Sequence, residues 1–192
     1  KQALISTTKV ISDDFSDKKE ENENKNSKKF EFFNLENLNS KADFIKARAE
    51  SDSSALRKKF SNGEIYKKNL PSNSSCKSFY SIAEKIRYES LGFEMLKGIE
   101  KNLKQNYNQA INQKRKDQLK SKEDVPVTEA FELYMLKKFH NIKLNTLTQD
   151  ILNFWEKDFD KGIEKHIKFL KDNLDSQNKY SSKFSEILED ME

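Results

Sequence analysis

The sequence FYSIAEKIRYESLGFEMLKGIEKNLKQNYNQAI, residues 79–111, decides the fold. Phe79, Ile82, Ala83, Ile86, Ser90 and Phe93 recur at three- and four-residue intervals. Leu96, Ile99, Leu103, Tyr107 and Ala110 continue the pattern, slightly out of phase with the first set. Such intervals place apolar side chains along one side of an α-helix. An unbroken helix over the whole stretch would be about 50 Å long, too long for a compact domain of this size. A bend or break is therefore predicted between Gly92 and Gly98, because a glycine inside a helix costs roughly 1 kcal/mol.

Working toward the N-terminus, Leu70-Pro71-Ser72-Asn73-Ser74-Ser75 reads as a loop followed by a helix cap. A helix is predicted from Asn39 or Ser40 to about Phe60, with Ala42, Ile45, Ala49, Leu56 and Phe60 on its apolar side. Asn62-Gly63 is read as its end, since glycine tolerates the left-handed cap conformation. Residues 1–39 read as an arm. Leu4, Thr8 and Ile11 share one face of a short helix ending near Asp13. Ser12 to Lys29 holds a single apolar residue, Phe15, and is expected to be mobile. Phe30, Phe32 and Leu35 then form an aromatic anchor or a short strand.

Toward the C-terminus, Pro126 suits a first helical turn. The helix after it carries Val127, Ala130, Phe131, Leu133, Tyr134, Met135 and Leu136, an apolar surface wide enough to make it the most buried helix. Leu147, Ile151, Phe154 and Trp155 define a short amphipathic helix, with Trp155 expected in the core beside Ile151. Ile163, Ile167, Leu170 and Leu174 define the next, and Tyr180, Phe184, Ile187, Leu188 and Met191 the last. The expectation is an all-α bundle of about six helices over residues 40–192.

Composition supports this. The chain of 192 residues has 4 Gly, 2 Pro and 3 Val, too few turn-formers and β-branched valines for a sandwich, barrel or α/β fold. The abundance of Lys, Asn, Ile and Phe fits an AT-rich genome, so each lysine is not read as functional. One cysteine, Cys76, excludes an internal disulfide and a zinc cluster. No stretch approaches the ~20 apolar residues of a membrane span. Lys1 to Val10 lacks the apolar centre of a signal peptide, and the absence of an initiator Met suggests a fragment. A cytoplasmic, reducing setting is expected. The formal net charge of +4 is too small to imply nucleic acid.

A search for chemistry finds little. Gly63, Gly92, Gly98 and Gly162 do not form a phosphate-cradling loop. His140 and His166 lie outside any H-E-x-x-H helix, and His166, on the side of Ile163, Ile167 and Leu170, reads as a core or boundary histidine. Asp52-Ser53-Ser54 superficially resembles the D-x-S-x-S of a Mg²⁺-binding adhesion site. The pattern fails at Leu56, and a polar helix face is the better reading. Cys76 with either histidine is a chance nucleophile–base pairing. One charged run remains. Lys97, Lys101, Lys104, Lys114, Arg115, Lys116, Lys120 and Lys122, against Glu100 and Asp117, give residues 97–122 a net charge of +6. A solvated face is the ordinary explanation, and docking to an acidic protein surface is the functional one. Nucleic acid is disfavoured, because Tyr107 is the only interleaved aromatic and Arg115 the only arginine. The tail Glu186 to Glu192 is acidic.

Ala47-Arg48-Ala49-Glu50-Ser51-Asp52-Ser53-Ser54-Ala55-Leu56-Arg57, with Ala49 in place of glycine, resembles the A-R-G-x-A-D-x-x-A-L-R of the CobT family of cobalamin biosynthesis. Glu84-Lys85-Ile86-Arg87-Tyr88-Glu89-Ser90-Leu91-Gly92 is similar to its E-x-A-R-x-E-A-L-G. Gly98-Ile99-Glu100-Lys101-Asn102-Leu103 is similar to G-V-A-x-N-L, Asp124-Val125-Pro126-Val127-Thr128-Glu129-Ala130 to D-A-P-L-x-E-A, and Asn153-Phe154-Trp155 to D-L-W. The run Phe184 to Met191 fits the family's ending. The resemblance spans residues 40–192, with a weaker match over 1–12.

The resemblance implies a subunit of an ATP-dependent cobaltochelatase that inserts cobalt into hydrogenobyrinic acid a,c-diamide. It implies a CobS-like AAA+ ATPase and a CobN-like large subunit as partners, and an acidic linker and von Willebrand A domain following this region. ATP, magnesium and cobalt would belong to the assembled complex and no cofactor to this chain. The expected role is an assembly and docking domain without catalysis of its own, acting through the basic run or through self-association. The alternative is a helical surface or adhesin-type interaction module from an AT-rich bacterium.

Overall fold

The computed structural model describes residues 2–13, 40–113 and 122–191. Among these the secondary structure is helical, without a strand. The polar stretch beyond Asp13 and the aromatic anchor Phe30, Phe32 and Leu35 lie outside the described residues.

Helix α1 (Gln2–Ser12) lies along α2 (Lys41–Phe60). Thr8 Oγ1 and Ser51 Oγ are 2.7 Å apart, and Lys59 pairs with Asp13. Ser40 caps α2 through Oγ, which accepts from the Asp43 amide at 3.1 Å. The end of α2 differs from the expectation. Ser61, in extended conformation, is its last cap, and Asn62-Gly63 begins the short α3 (Gly63–Lys68) instead. Asn62 Oδ1 accepts from the amides of Glu64 at 2.8 Å and Ile65 at 3.2 Å. Asn is as good an N-cap as it is a turn residue, and no described glycine adopts positive φ.

Helix α4 (Ser74–Met95), capped by Asn73, packs against α2, α6 and α10 and adjoins α5 (Lys97–Gln113). The predicted break falls at Leu96, whose backbone is extended at φ −147° and ψ 117°. Its amide donates to the Gly92 carbonyl at 3.1 Å, while its carbonyl accepts from Ile99 at 3.0 Å. One residue thus closes α4 and opens α5. Gly92 serves packing rather than bending: a Cβ there would overlap the Leu56 side chain, whereas a Cβ on Gly98 would meet open space.

A 3-10 turn (Lys122–Asp124) leads to Pro126 and α6 (Val127–His140), which ends at Asn141 in the left-handed region, φ 52°. Half of α6 is buried, as expected, yet the longer α4 buries more side chains and most of the buried charge. Phe131 is the hub of the apolar core. Its ring lies 4.8 Å from Phe79 of α4 and 5.5 Å from Phe159 of α8 (Glu156–Ile163). It also lies 6.1 Å from Phe184 of α10 (Gln177–Asp190). Burying each such ring contributes roughly 1.5–3 kcal/mol.

Residues 146–172 are more broken than their periodicity suggests. Helix α7 (Thr146–Asn153) carries a capping box between Asn145 and Thr148. The chain then turns through Phe154 and Trp155, continues as α8 and a 3-10 turn (Glu164–His166), and ends as α9 (Ile167–Asp172). The apolar stripe survives these breaks, since Ile151, Leu152, Phe159, Ile163 and Leu170 are all buried. Trp155 is only half-buried, at the α7–α8 turn rather than in the core. Met191 lies over Gly162 and remains 37% exposed.

Candidate functional site

The basic run is split by the fold. Lys97, Lys101 and Lys104 follow one another at four- and three-residue spacing on α5, whose buried positions are Ile99, Leu103, Tyr107 and Ile111. Lys97 and Lys101 are exposed. Lys104 is held back: its Nζ is 2.7 Å from Glu100 Oε1 and 5.5 Å from the Phe93 ring centre. Lys114, Arg115, Lys116 and Lys120 lie outside the described residues. Lys122 lies against α8, with Nζ 3.2 Å from Asp158 Oδ2 and 3.9 Å from the centre of the Trp155 ring.

The charged residues that the sequence hid are inside. Arg87 is fully buried on α4 beside Glu84. Nε donates to Glu84 Oε2 and Nη2 to Glu84 Oε1, both at 2.9 Å. Nη1 also donates to the Leu174 carbonyl at 2.8 Å, and Nη2 to the Phe60 carbonyl at 2.6 Å. Phe60 ends α2, where carbonyls lack helical partners, so Arg87 supplies the missing donor. Glu84 Oε1 in turn accepts from Ser61 Oγ at 2.8 Å and from Gln177 Nε2 at 2.9 Å. This fork joins α2, α4 and α10, and every bond is satisfied within the chain.

Asp52 and Glu89 are the next two. Asp52, expected on a polar helix face, is 1% exposed and accepts from Asn102 Nδ2 of α5 at 2.7 Å. Burial raises its pKa above the ordinary carboxylate range, against the opposing pull of Asn102 and of Arg48, 3.8 Å away. Glu89 is fully buried, and its carboxyl oxygens accept from Ser53 Oγ of α2 and Tyr107 Oη of α5, each at 2.6 Å. Burial pushes its pKa up, while Lys85, Ser53 and Tyr107 favour the charged form. The same environment raises Tyr107 well above its usual value, first by burial and then by the Glu89 charge. The one sequence signal of these contacts is their position: Asp52, Glu84, Arg87, Glu89, Gly92 and Asn102 all fall in the motifs that resemble CobT.

The histidines are not brought together with Cys76 into a site. His140 is buried between α4, α5 and α6, its ring 4.4 Å from Phe93 and its Nε2 3.4 Å from the Ile86 carbonyl. Burial lowers its pKa to about 4, so it is neutral at physiological pH. His166 is a half-buried boundary residue, its pKa lowered first by burial and then by Lys183 and Lys165. Cys76 is buried in the first turn of α4. Among the described residues no group of three or more His, Cys, Asp or Glu side chains is placed to hold a metal ion. No helix among them is long and apolar enough to cross a membrane.

Fold and interior together define an all-helical domain whose buried charges tie its helices to one another. The model of the family described as "Cobalamin biosynthesis protein CobT" matches residues 1–192, and the chain belongs to that family. Its place is therefore in cobalamin biosynthesis. No curated protein and no solved structure matches the chain.

Proposed function

We propose that this chain is the helical assembly and docking domain of a CobT-like subunit of an ATP-dependent cobaltochelatase. In this reading the complex inserts cobalt into hydrogenobyrinic acid a,c-diamide, and this domain contributes no reacting group. A CobS-like AAA+ ATPase and a CobN-like large subunit are its partners, with self-association of the domain as a further contact. ATP, magnesium and cobalt are handled elsewhere in the complex, which works in the cytoplasm.

The observation that supports docking is the division of α5. Its apolar side holds the bundle through Ile99, Leu103, Tyr107 and Ile111, leaving Lys97 and Lys101 on its outer side. The basic residues continue in sequence through Lys114, Arg115, Lys116 and Lys120. A single exposed ion pair is worth ~0–1 kcal/mol, so only several lysines acting together would hold a partner. Attraction of this kind is screened over ~8 Å at physiological salt.

The test is binding of the ATPase and of the large subunit to the chain in which Lys97, Lys101, Lys114, Arg115 and Lys116 are changed to Glu. The reading expects weaker assembly at about 50 mM salt, where screening is modest, with helicity unchanged. An unaltered isotherm with both partners would leave the run as a solvated face. A parallel test is ATP turnover and metal titration on the isolated chain. Stoichiometric, sub-micromolar metal binding would contradict a domain without chemistry.

A further inference from the structure

A cavity of about 300 Å³ opens between α2, α4 and α5, directly over Glu89. Its size is at the lower end for small-molecule pockets. Arg57 lines it from the last turn of α2, and its exposed guanidinium makes no ion pair among the described residues. Ser54 and Asn106 line it as well, and neither side chain has a hydrogen-bond partner among those residues. Lys85 stands at the wall, part-exposed, with Nζ 3.4 Å from Glu132.

The buried carboxylate of the cavity is already engaged. Both carboxyl oxygens of Glu89 already accept from hydroxyl groups. Glu50, at the rim, faces Lys46 at 3.9 Å. What remains is a surplus of donors: five N–H groups of a guanidinium, two of an amide and one hydroxyl, beside an ammonium. Such a set is complementary to an oxyanion, and the planar fork of Arg57 suits a two-oxygen acceptor best.

We propose that this cleft binds a small molecule through its carboxylate or phosphate group, with Arg57 as the main contact and Lys85, Ser54 and Asn106 completing the donor set. The site is independent of the docking reading, since it uses the side of α5 that carries Leu103, Asn106 and Tyr107 rather than Lys97 and Lys101. Either reading can fail without the other.

The experiment is an NMR titration of the full ¹⁵N-labelled chain with citrate and, separately, inorganic phosphate, at constant ionic strength set with chloride. Saturable shifts confined to residues around the cleft, with a Kd of about 1 mM or tighter for at least one probe, are expected. Response to citrate alone identifies a carboxylate ligand, and response to phosphate alone a phosphate ligand. Arg57→Gln should weaken binding by about tenfold or more, as loss of a charged two-point contact does. Asn106→Leu should weaken it as well, which keeps the test valid if the arginine variant is poorly folded. Lys168→Gln, on exposed α9, should leave it unchanged. Absence of saturation, or a Kd weaker than about 1 mM for both probes, would overturn the proposal. So would equal weakening by Lys168→Gln, or full binding by both cleft variants.

Discussion

Glu84 and Glu89 stand on the same helix and are both buried, but their surroundings differ. Glu84 meets a guanidinium, two backbone-linking side chains and the end of α2, so its charge is compensated in place. Glu89 meets two hydroxyls and lies beneath a cleft. The first arrangement locks three helices and leaves nothing for a ligand. The second holds α2, α4 and α5 with neutral donors and leaves the exposed Arg57 without an ion pair among the described residues. A buried carboxylate is thus no guide to function until its partners are known.

The largest effect should come from breaking the first arrangement. Arg87→Met leaves Glu84 buried without its cation, which costs roughly 3–5 kcal/mol. Chemical denaturation should show it, and a loss within about 0.5 kcal/mol, the range of an ordinary surface substitution, would mean the pair is not the fastening it looks to be.

His140 sharpens the contrast through pH. Its pKa falls from 6.5 unfolded to about 4 folded, so the unfolded chain binds more protons between those values. Stability from this residue is complete above 6.5 and declines as pH falls toward 4, on the order of 3 kcal/mol in all. Glu89 acts with the opposite sign. Its folded pKa lies above 4.5, so its contribution is present at low pH and is lost as pH rises from 4.5 through the folded value. Denaturation of His140→Phe and Glu89→Gln from pH 4 to 8 should separate the two. Relative to wild type, the first should lose the low-pH decline, and the second should gain stability as pH rises. Parallel curves for all three proteins would remove both assignments.

Smaller effects belong to the packing around these groups. Gly92→Ala presses on Leu56, which costs about 1–3 kcal/mol when a core is overfilled. The better helix propensity of alanine returns up to ~1 kcal/mol. A net loss of about 1–2 kcal/mol in denaturation is expected, and a gain would show that Leu56 yields freely. Trp155→Ala should be milder than for a core tryptophan, because the side chain is only partly buried and Lys122 stacks on its ring. Loss of the cation–π contact contributes ~0.5–1 kcal/mol. Wild-type fluorescence should shift when Lys122→Ala uncovers the indole, and an unchanged spectrum would deny the contact.

The apolar stripes of α2, α4, α5, α6 and α10 were legible because helical period and burial coincide there. The break at Leu96 was legible from the phase shift between stripes, although Gly92 turned out to matter for packing. Asn62 was ambiguous, since one residue can close a helix or open the next. Between residues 146 and 172 the sequence reads as two helices and the separate α8 left no mark, because short helices in sequence preserve the apolar spacing. The buried charges were the least legible part. Asp52 reads as part of a polar helix face, and Glu84, Arg87 and Glu89 stand out only through the family resemblance. Their pairing depends on partners as distant as Gln177, which no local pattern can supply.

The central claim is that the buried Glu84–Arg87 pair fastens the fold, and a double-mutant cycle at these two residues tests it most directly. Glu84→Gln, Arg87→Met and the double variant would be compared by chemical denaturation at pH 7. The account predicts that the double variant is about 2–3 kcal/mol more stable than the sum of the single losses allows, because each single change strands its partner. Losses that simply add would contradict it.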